Sequence, residues 1–583
     1  MNSSDSPARE TLNPELLIFR DSRRQVGVGE LVARLSSDLR QLSFPASPAQ
    51  LLHVLLLAGE LECALADIPT PASYATAAAA QLTSLLADAA LACDSRNHLP
   101  DASLLAHHSR QILQSISYSG VVSVSAPEGF AYYALHPLDY ADLVARLRLT
   151  NPQAFVVGIR SIGTTLSAVM RAKLQQLGIR ADRITVRPTG HPYERTCEFA
   201  PAQRQAIASA RAFDAQFIVC DEGPGRSGSS LLSVAEALEQ QGVARNRILI
   251  LCSHEPDVRA LCAPDAERRW RRYRCAATEM TRRLPPNADE YAGGGEWRRH
   301  LLAPEESWPA VWPQMEPLRY LSSDGREMFT FEGHGPYSAA ARARNRALSD
   351  SGFGAAYLGH EAGFGCHLLP PGRLLRRADL TPALLAHLAE YCAWRAQEFC
   401  PADVDCGELE IASRSNFVRE FGVARDGLEL AVERPTICDN RMAPHHWLAV
   451  GGRVLKLDAA LHGDDHFFPG PCDIAWDLAG VIVEWELRGP ARDCFLSAYQ
   501  CASGDDPRSR AINYELAYAM FRLAWSRMAA ASVTGNEEEA RLMRDDQRYR
   551  RHLQCRTSDA ADDWAAPQGA AIWKRSTDCA IRY

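Results

Sequence analysis

Hydrophobic positions recur with two different periods along the 583-residue chain. From Leu16 to Ile112 they follow helical spacing, with the apolar run Leu51–Leu57 and the alanine-rich run Tyr74–Leu91. This pattern predicts a helical region over residues 1–115. After Gly120, short apolar runs alternate with amphipathic stretches. Strands that alternate with helices in this way favour an α/β domain whose parallel sheet is covered on both faces.

The α/β domain is predicted over residues 116–275. Its strands are predicted at Val121–Val124, Gly129–Leu135, Ala154–Gly158, Arg183–Arg187, Gln216–Cys220 and Arg247–Cys252. Its helices are predicted at Tyr140–Leu147, Thr165–Leu177, Pro201–Ala212 and Leu231–Gln241. Residues 276–317 are rich in Pro, Gly and Trp and form a predicted connector. Residues 318–583 form a second, mostly helical unit that opens with a strand at Met328–Phe331.

Composition narrows the classes of protein to which the chain can belong. A chain of 583 residues exceeds what one hydrophobic core supports, and a net charge of −8 provides no basic field for nucleic acid. The most apolar run, Leu51–Leu57, is far shorter than the ~20 residues that span a bilayer. The 17 cysteines are scattered, without a CxxC pair or a zinc pattern. We therefore expect a reduced, cytoplasmic protein without nucleic-acid or membrane partners.

The strongest chemical pattern follows the predicted strand Gln216–Cys220. Two adjacent carboxylates, Asp221 and Glu222, precede a loop of glycine and serine and then an amphipathic helix. Loop amides and a helix start form a cradle for a phosphate, while carboxylates accept hydrogen bonds from vicinal hydroxyls or hold magnesium. The predicted cradle residues are Gly225, Ser227, Gly228, Ser229 and Ser230. The position also fits, because ligands of open α/β sheets bind beyond the carboxyl ends of strands.

This segment resembles the phosphoribosyl pyrophosphate signature of type I phosphoribosyltransferases, which have a Rossmann-like parallel sheet. Its Gly-Pro-Gly-Arg stretch makes the loop longer than the commonest pattern of the family. A turn upstream, with Arg160, Ser161 and Gly163, resembles the pyrophosphate loop of the same family. Arg187, at the end of the next strand, is suited to bidentate contact with phosphate.

The resemblance implies Mg²⁺-dependent transfer of a 5-phosphoribosyl group between pyrophosphate and a base or small acceptor. Asp221 and Glu222 would hold the ribose and contribute to the magnesium site, and Arg160 and Arg187 would offset charge on the departing diphosphate. The expected partners are small molecules, namely phosphoribosyl pyrophosphate or a nucleotide, and a homo-oligomer is left open. The aromatic residues near Pro127–His136 are either a stacking platform for a base or part of the core.

Acidic residues of the second unit follow a recognisable order. Asp439 lies in a polar loop, Asp458 follows a short apolar strand, and Asp473 and Asp477 open a helix. This order resembles the C-terminal lobe of aminoglycoside and choline kinase-like phosphotransferases, whose fold is the α+β protein kinase-like one. The resemblance implies that Asp439 is catalytic and that Asp458 binds magnesium, with ATP as a candidate phosphate donor that the sequence leaves open.

Several positions depart from the pattern of that second family. Ile437 and Cys438 stand where His-Gly is usual, Pro444 stands where an Asn is expected, and segment Arg326–Phe331 contains no Lys. Three interpretations of this unit stay open: an active kinase, a site reused for a phosphorylated ligand, and a structural relic. For the whole chain we expect a bifunctional enzyme of nucleotide metabolism. The alternative is a non-catalytic regulatory protein that senses phosphoribosyl pyrophosphate or a nucleotide.

Overall fold

A computed structural model describes residues 16–43, 45–68, 73–95, 101–279, 283–303 and 307–557, which form three units. The elements of the helical unit are β1 (Arg24–Gly27), α1 (Val28–Arg40), α2 (Pro48–Ala66), α3 (Ser73–Asp94), α4 (Ala102–Gln114) and β2 (Val121–Val124). Those of the parallel-sheet unit are α5 (Glu128–Ala131), α6 (Pro137–Leu147), β3 (Gln153–Ile159), α7 (Ile162–Gln176), β4 (Arg180–Val186), β5 (Thr189–His191), β6 (Glu194–Thr196), α8 (Pro201–Ala212), β7 (Gln216–Cys220), α9 (Ser229–Gln240), β8 (Ile248–Cys252), α10 (Ala266–Trp270) and β9 (Arg274–Ala277).

The C-terminal unit contains the remaining elements. Its strands are β10 (Glu290–Tyr291), β11 (Arg319–Leu321), β12 (Glu327–Phe331), β13 (Tyr357–Glu361), β14 (Phe364–Leu368), β15 (Arg373–Leu374), β16 (Pro435–Thr436), β17 (Trp447–Val450), β18 (Arg453–Lys456) and β19 (Cys472–Asp473). Its helices are α11 (Trp297–Leu301), α12 (Ala339–Ser351), α13 (Pro382–Glu398), α14 (Gly407–Phe421), α15 (Ala475–Glu484), α16 (Gly489–Ser503), α17 (Arg508–Ser532) and α18 (Glu537–Thr557).

Helix α2 is the part of the helical unit that reaches the parallel sheet. It begins at a capping box between Ser47 and Gln50, with Pro48 in its first turn. Its apolar residues are buried against α3 and α7. On the same helix Glu62 forms a buried ion pair with Arg183 of β4, in which Oε2 and Nη2 lie 2.7 Å apart. The helical unit is therefore fixed on the sheet that carries the predicted site.

Two helices of this unit, Pro48–Ala66 and Tyr74–Asp94, are long and apolar enough to cross a membrane, by length and composition alone. Within the protein, 67% of the apolar window of the first and 50% of that of the second are buried. Core packing therefore accounts for much of their apolar character.

The parallel sheet confirms the α/β prediction. Its strand order is β4-β3-β7-β8-β9, and every pairing in it is parallel. Strand β7 is a continuous apolar run because all of its residues are buried. The direction of the strand order reverses between β3 and β7, and in such sheets ligands bind at that reversal. The turn after β3 and the loop after β7 therefore begin side by side.

Residues Gly129–Leu135, predicted as a strand, form the short helix α5 and a turn instead. Pro127 precedes the helix, and its carbonyl accepts a hydrogen bond from the Phe130 N–H at 3.0 Å. Phe130 is 1% exposed, in the core. The Tyr133 hydroxyl lies 3.0 Å from Nε2 of His466 in the C-terminal unit. Phe130 thus belongs to the core, whereas Tyr132 and Tyr133 are half-buried and line a cavity.

The C-terminal unit combines an antiparallel sheet with a larger helical part. The sheet has the order β10-β11-β12-β14-β13, and its pairings are antiparallel. Helices α13, α15 and α17 pack in the helical part around fully buried side chains such as Trp476. A cleft between the two parts is lined by β12, β14 and the segment Lys456–Leu461. This mixed architecture agrees with the α+β expectation.

Segments predicted to lie outside the C-terminal unit pack with it. Leu16 and Ile18 share a core with Trp312, although the three residues are far apart along the chain. Strand β10, from the predicted connector, pairs with β11. Hydrophobic periodicity detects an apolar segment but does not show which core receives it. Contacts of the C-terminal unit therefore cross the boundaries predicted at residues 115 and 317.

Candidate functional site

The side chains of Asp221 and Glu222 lie at the carboxyl end of β7. They are half-buried at the surface but closely surrounded by protein atoms. Burial raises the pKa of Asp221 to about 7, against the lowering effects of the Glu222 amide and Arg187. Burial, and then the charge of Asp221, raise the pKa of Glu222 to about 8. Such a pair favours a ligand that supplies positive charge or hydrogen-bond donors.

The loop after the two acids has the geometry of an anion cradle. Gly225 and Gly228 take left-handed backbone conformations, with φ of +54° and +68°, and Gly228 caps α9. The hydroxyls of Ser227 and Ser229 lie 2.9 Å apart, and both donate to the carbonyl of Pro192, at 2.9 and 2.7 Å. Pro192 lies between β5 and β6, so this hairpin covers the loop. The serines, with Ser230 beside them, gather at a helix start that favours an anion.

The turn after β3 is tight and strained. Ser161 has a φ of +98°, which is sparsely populated by residues other than glycine. Gly158 and Gly163 approach so closely that a Cβ at Gly158 would meet the Gly163 carbonyl oxygen at 2.1 Å. The Arg160 N–H donates to the Val186 carbonyl at 2.8 Å, which ties the turn to β4. Backbone strain of this kind is found at ligand sites, and here it lies beside the Asp221 loop.

Both arginines predicted to bind pyrophosphate contact one carboxylate, that of Asp67. Nη1 of Arg160 lies 2.9 Å from Asp67 Oδ1, and Nε of Arg187 donates to the same oxygen at 3.2 Å. Nη2 of Arg187 forms a short contact with Oδ2. Asp67 directly follows α2, so the helical unit supplies the anion that these arginines hold. The structure brings Arg160, Arg187, Ser161 and Gly163 together as expected, with Asp67 as an unforeseen partner.

Asp439 is fully buried, and both of its carboxylate oxygens are engaged. The Tyr391 hydroxyl donates to Oδ2, and Lys456 Nζ lies 3.2 Å from the same oxygen. The backbone N–H of Arg441 donates to Oδ1 at 3.1 Å. The catalytic position expected for Asp439 is therefore not at the cleft surface, because its carboxylate faces these interior partners.

Asp473 and Asp477 hold the main chain of the C-terminal unit in place. Asp477 accepts the backbone N–H groups of Asp439 and Asn440, at 2.7 and 3.0 Å. Asp473 accepts two backbone N–H groups from Glu433 and Arg434, both at 2.7 Å. Both side chains are completely buried. These two carboxylates hold the backbone of the loop around Asp439. They do not form a solvent-accessible metal site.

Asp458 lines the cleft but lies close to an arginine and a histidine. Nη2 of Arg319 lies 2.7 Å from its Oδ1, and Nε2 of His462 lies 3.4 Å from its Oδ2. Burial alone would raise the pKa of Asp458, but Arg319 and then His462 outweigh it and hold that pKa well below its usual range. Asp458 also lines a neighbouring cavity, together with Arg441. The charge of Asp458 is therefore already compensated.

Metal-ligand clusters are not found in the part of the chain that the structure describes. No group of three or more His, Cys, Asp or Glu residues there is arranged to hold a metal ion. A magnesium ion that is bound through one or two carboxylates and substrate phosphates does not require such a cluster. Asp221 and Glu222 fit that mode, since they carry no ion pair among the described residues. Asp458 does not fit it.

Sequence reasoning missed two residues of these sites, Asp67 and Arg319. Each is an ordinary charged residue at the end or start of an element, with no motif around it. Only the fold brings Asp67 to Arg160 and Arg319 to Asp458.

Comparisons with known proteins give distant similarity only. No protein-family model matches the chain, and no curated protein matches it significantly. A choline kinase from Streptococcus pneumoniae is 14% identical, with a TM-score of 0.30, over 40% of this chain and 89% of the other. A choline/ethanolamine kinase family protein from Mesorhizobium loti is 14% identical, with a TM-score of 0.29, over 44% and 91%. A macrolide 2'-phosphotransferase from Brachybacterium faecium is 16% identical, with a TM-score of 0.28, over 40% and 88%.

Proposed function

We propose that the parallel-sheet unit binds phosphoribosyl pyrophosphate and transfers its 5-phosphoribosyl group to a small acceptor, or runs this reaction in reverse. One observation carries the proposal. At the reversal point of the parallel sheet, a carboxylate pair without an ion pair among the described residues lies beside a strained turn. Arg160 belongs to this turn, and Arg187 directly follows β4. The pair suits ribose hydroxyls and magnesium, and the arginines suit a diphosphate.

Each group has a defined task in this reaction. Asp221 and Glu222 accept hydrogen bonds from the two ribose hydroxyls and hold the ring. The amides and hydroxyls from Ser227 to Ser230 bind the 5-phosphate, once the serine hydroxyls turn from Pro192 to the ligand. When bound, magnesium neutralises charge that builds up on the leaving diphosphate. Arg160 and Arg187 contribute to the same neutralisation after they release Asp67.

For the C-terminal unit we propose ligand binding without metal-dependent phosphoryl transfer. Phosphoryl transfer from ATP relies on metal ions that bridge the phosphates, and these need carboxylate ligands. Here Asp439 is enclosed by Tyr391 and Lys456, and Asp458 is paired with Arg319. This arrangement supports the reused-site interpretation over an active kinase. ATP remains a candidate ligand of the cleft, without a role as phosphate donor.

Pyrophosphate release tests the proposal directly. The full-length protein is incubated with Mg²⁺ and phosphoribosyl pyrophosphate, without ATP, across a panel of nucleobases and small amines. We expect release that requires one class of acceptor and is lost in Asp221→Ala. Asp182→Asn is the control, because Asp182 is exposed in β4, an edge strand of the same sheet. It should keep full activity.

The regulatory alternative predicts a different result. If phosphoribosyl pyrophosphate raises the unfolding temperature of the wild-type protein but no acceptor gives release, the site senses its ligand without turnover. If there is neither release nor stabilisation, the proposed ligand is wrong.

A further inference from the structure

A cavity of about 410 Å³ lies between helix α2, the segment after β2 and the Ser161 turn. Its wall includes Ser161 and Arg187, which belong to the diphosphate side of the proposed site. The wall also includes Glu60 of α2, Ser125, and Tyr337 of the C-terminal unit. All three units of the protein therefore contribute to its wall.

Glu60 is an unusual residue in this wall. It is only 8% exposed, and its Oε1 accepts no hydrogen bond among the described residues. Oε2 accepts one from the Tyr337 hydroxyl at 3.2 Å. The nearest cationic group, Nη2 of Arg24, stays 4.0 Å from Oε1. Burial of a carboxylate oxygen without a hydrogen-bond donor costs free energy. A ligand whose N–H group donates to this oxygen therefore gains binding free energy.

The cavity also borders the carboxylate side of the proposed site. Pro127 is part of its wall and directly precedes α5. In α5, the Cα of Gly129 lies so close to Glu222 that an added Cβ would be 2.9 Å from the Glu222 carboxyl carbon. The cavity therefore includes Arg187 of the diphosphate side in its wall, and α5 connects that wall to Glu222.

Resting on the function proposed above, we infer that this cavity holds the acceptor, a compact nitrogen compound with two adjacent N–H groups, and that Glu60 orients it. Amidines and amino-heterocycles have such groups, and a carboxylate receives them in pairs. In the transfer step a nitrogen lone pair of the acceptor bonds the anomeric carbon. The bond from that carbon to the diphosphate oxygen breaks, its electron pair leaves with the diphosphate, and the displaced N–H proton passes to water.

Binding of defined probes tests the role of Glu60. Benzamidine and guanine present paired N–H donors, whereas benzamide and hypoxanthine replace or lack one of them. We expect the first two to bind the wild-type protein at least tenfold more tightly than the second two. Glu60→Gln should remove that preference, and Glu30→Gln, at an exposed position of the same unit, should keep it. Equal affinity for both classes, or a preference that survives Glu60→Gln, would overturn the inference.

Ribose 5-phosphate separates this inference from the proposal on which it rests. This probe occupies the serine cradle and does not reach Glu60, so it should bind wild-type protein and Glu60→Gln alike. If ribose 5-phosphate binds both proteins and the preference among acceptor probes is absent, the assignment of the acceptor cavity fails alone. If ribose 5-phosphate binds neither protein, the function proposed for the parallel-sheet unit fails as well. Its binding also shows that the variant is folded.

Discussion

The two acidic sites that the sequence marks for magnesium have opposite surroundings. At the end of β7, burial raises the pKa of Asp221 to about 7, and no ion pair offsets its charge among the described residues. In the C-terminal cleft, Arg319 and His462 hold the pKa of Asp458 well below its usual range, against the effect of burial. The first site still requires a cation or donors from a ligand. The second has them already, from the protein itself.

This contrast shows why acidic residues in a motif-like order are a weak guide to a metal site. The order of Asp439, Asp458 and Asp477 resembles that of a kinase, yet each is satisfied by its neighbours. A site that binds cations has to leave charge uncompensated in the folded protein, at a cost to stability. Asp221 and Glu222 meet that condition once they ionise, since burial raises the pKa of both.

The largest expected effect is on stability, at Asp458. Asp458→Asn would leave Arg319, whose side chain is 8% exposed, with Glu316 at 3.9 Å in place of a carboxylate at 2.7 Å. We expect the free energy of unfolding to fall by about 3 kcal/mol, because one charge of a buried pair loses its close partner. Urea denaturation measures this loss. The control Asp379→Asn breaks the more exposed pair with Arg373, and it should cost about 0–1 kcal/mol. A similar small loss at both positions would contradict the compensated state of Asp458.

The second effect is on catalysis, at Glu222. Glu222→Gln keeps the size of the side chain but removes one charge from the pair. We expect pyrophosphate release to fall by about 10²–10³-fold, because the group that holds the ribose and its cation is weakened. Steady-state kinetics of Asp458→Asn provides the contrast, since that variant should keep its rate as long as it is folded. Loss of rate in Asp458→Asn alone would reverse the roles assigned to the two sites.

A third, smaller effect concerns Asp67, which holds both arginines of the diphosphate side. Asp67→Asn removes the anion that competes with pyrophosphate for Arg160 and Arg187. We expect roughly tenfold tighter binding of inorganic pyrophosphate, a change of about 1.4 kcal/mol. Calorimetric titration gives the affinity. Asp88, like Asp67, belongs to the helical unit, and Asp88→Asn breaks a pair with Arg171. This variant should leave the affinity for pyrophosphate unchanged. Weaker binding in Asp67→Asn would mean that Asp67 positions the arginines for the ligand.

The smallest effect is the pH dependence of stability. Burial raises the pKa of Asp221 from 3.8 to about 7, so within this interval Asp221 ionises in the unfolded chain but stays protonated in the folded protein, and stability falls progressively as pH rises. Asp221→Asn removes that loss. Its unfolding temperature should match that of the wild-type protein near pH 4 and exceed it by a few degrees at pH 8. Asp182→Asn should show no such trend. A gain of equal size at both pH values would point to a cause other than ionisation.

Local patterns predicted much of the parallel sheet. The strand Gln216–Cys220 and the helix Pro201–Ala212 have the predicted bounds, because each is long, strongly patterned and bordered by clear turn residues. The prediction of a strand at Gly129–Leu135 was wrong, since the aromatic residues of this segment pack between two units and do not line a sheet. The pairing of Arg160 with Asp67 joins segments far apart in sequence, and no periodicity encodes such a contact.

In the candidate sites, too, the sequence predicts residues that lie within one short segment and misses contacts between distant segments. The residues of the Asp221 loop and of the Arg160 turn could be named from the sequence because each set lies within one short segment after a strand. The role of Asp439 could not, because it depends on Tyr391 and Lys456, which come from other elements. Compensation of a charge is a property of the folded protein, and the sequence lists the charges without their neighbours.

Calorimetric titration of phosphoribosyl pyrophosphate into the full-length protein, with and without Mg²⁺, tests the central claim most directly. We expect Mg²⁺ to increase the affinity of the wild-type protein and of Asp182→Asn for this ligand. In Asp221→Asn, Mg²⁺ should not increase it. Binding that is equal in the wild-type protein and Asp221→Asn, or an absence of binding to both, would contradict the assignment of this carboxylate pair to the ribose and its cation.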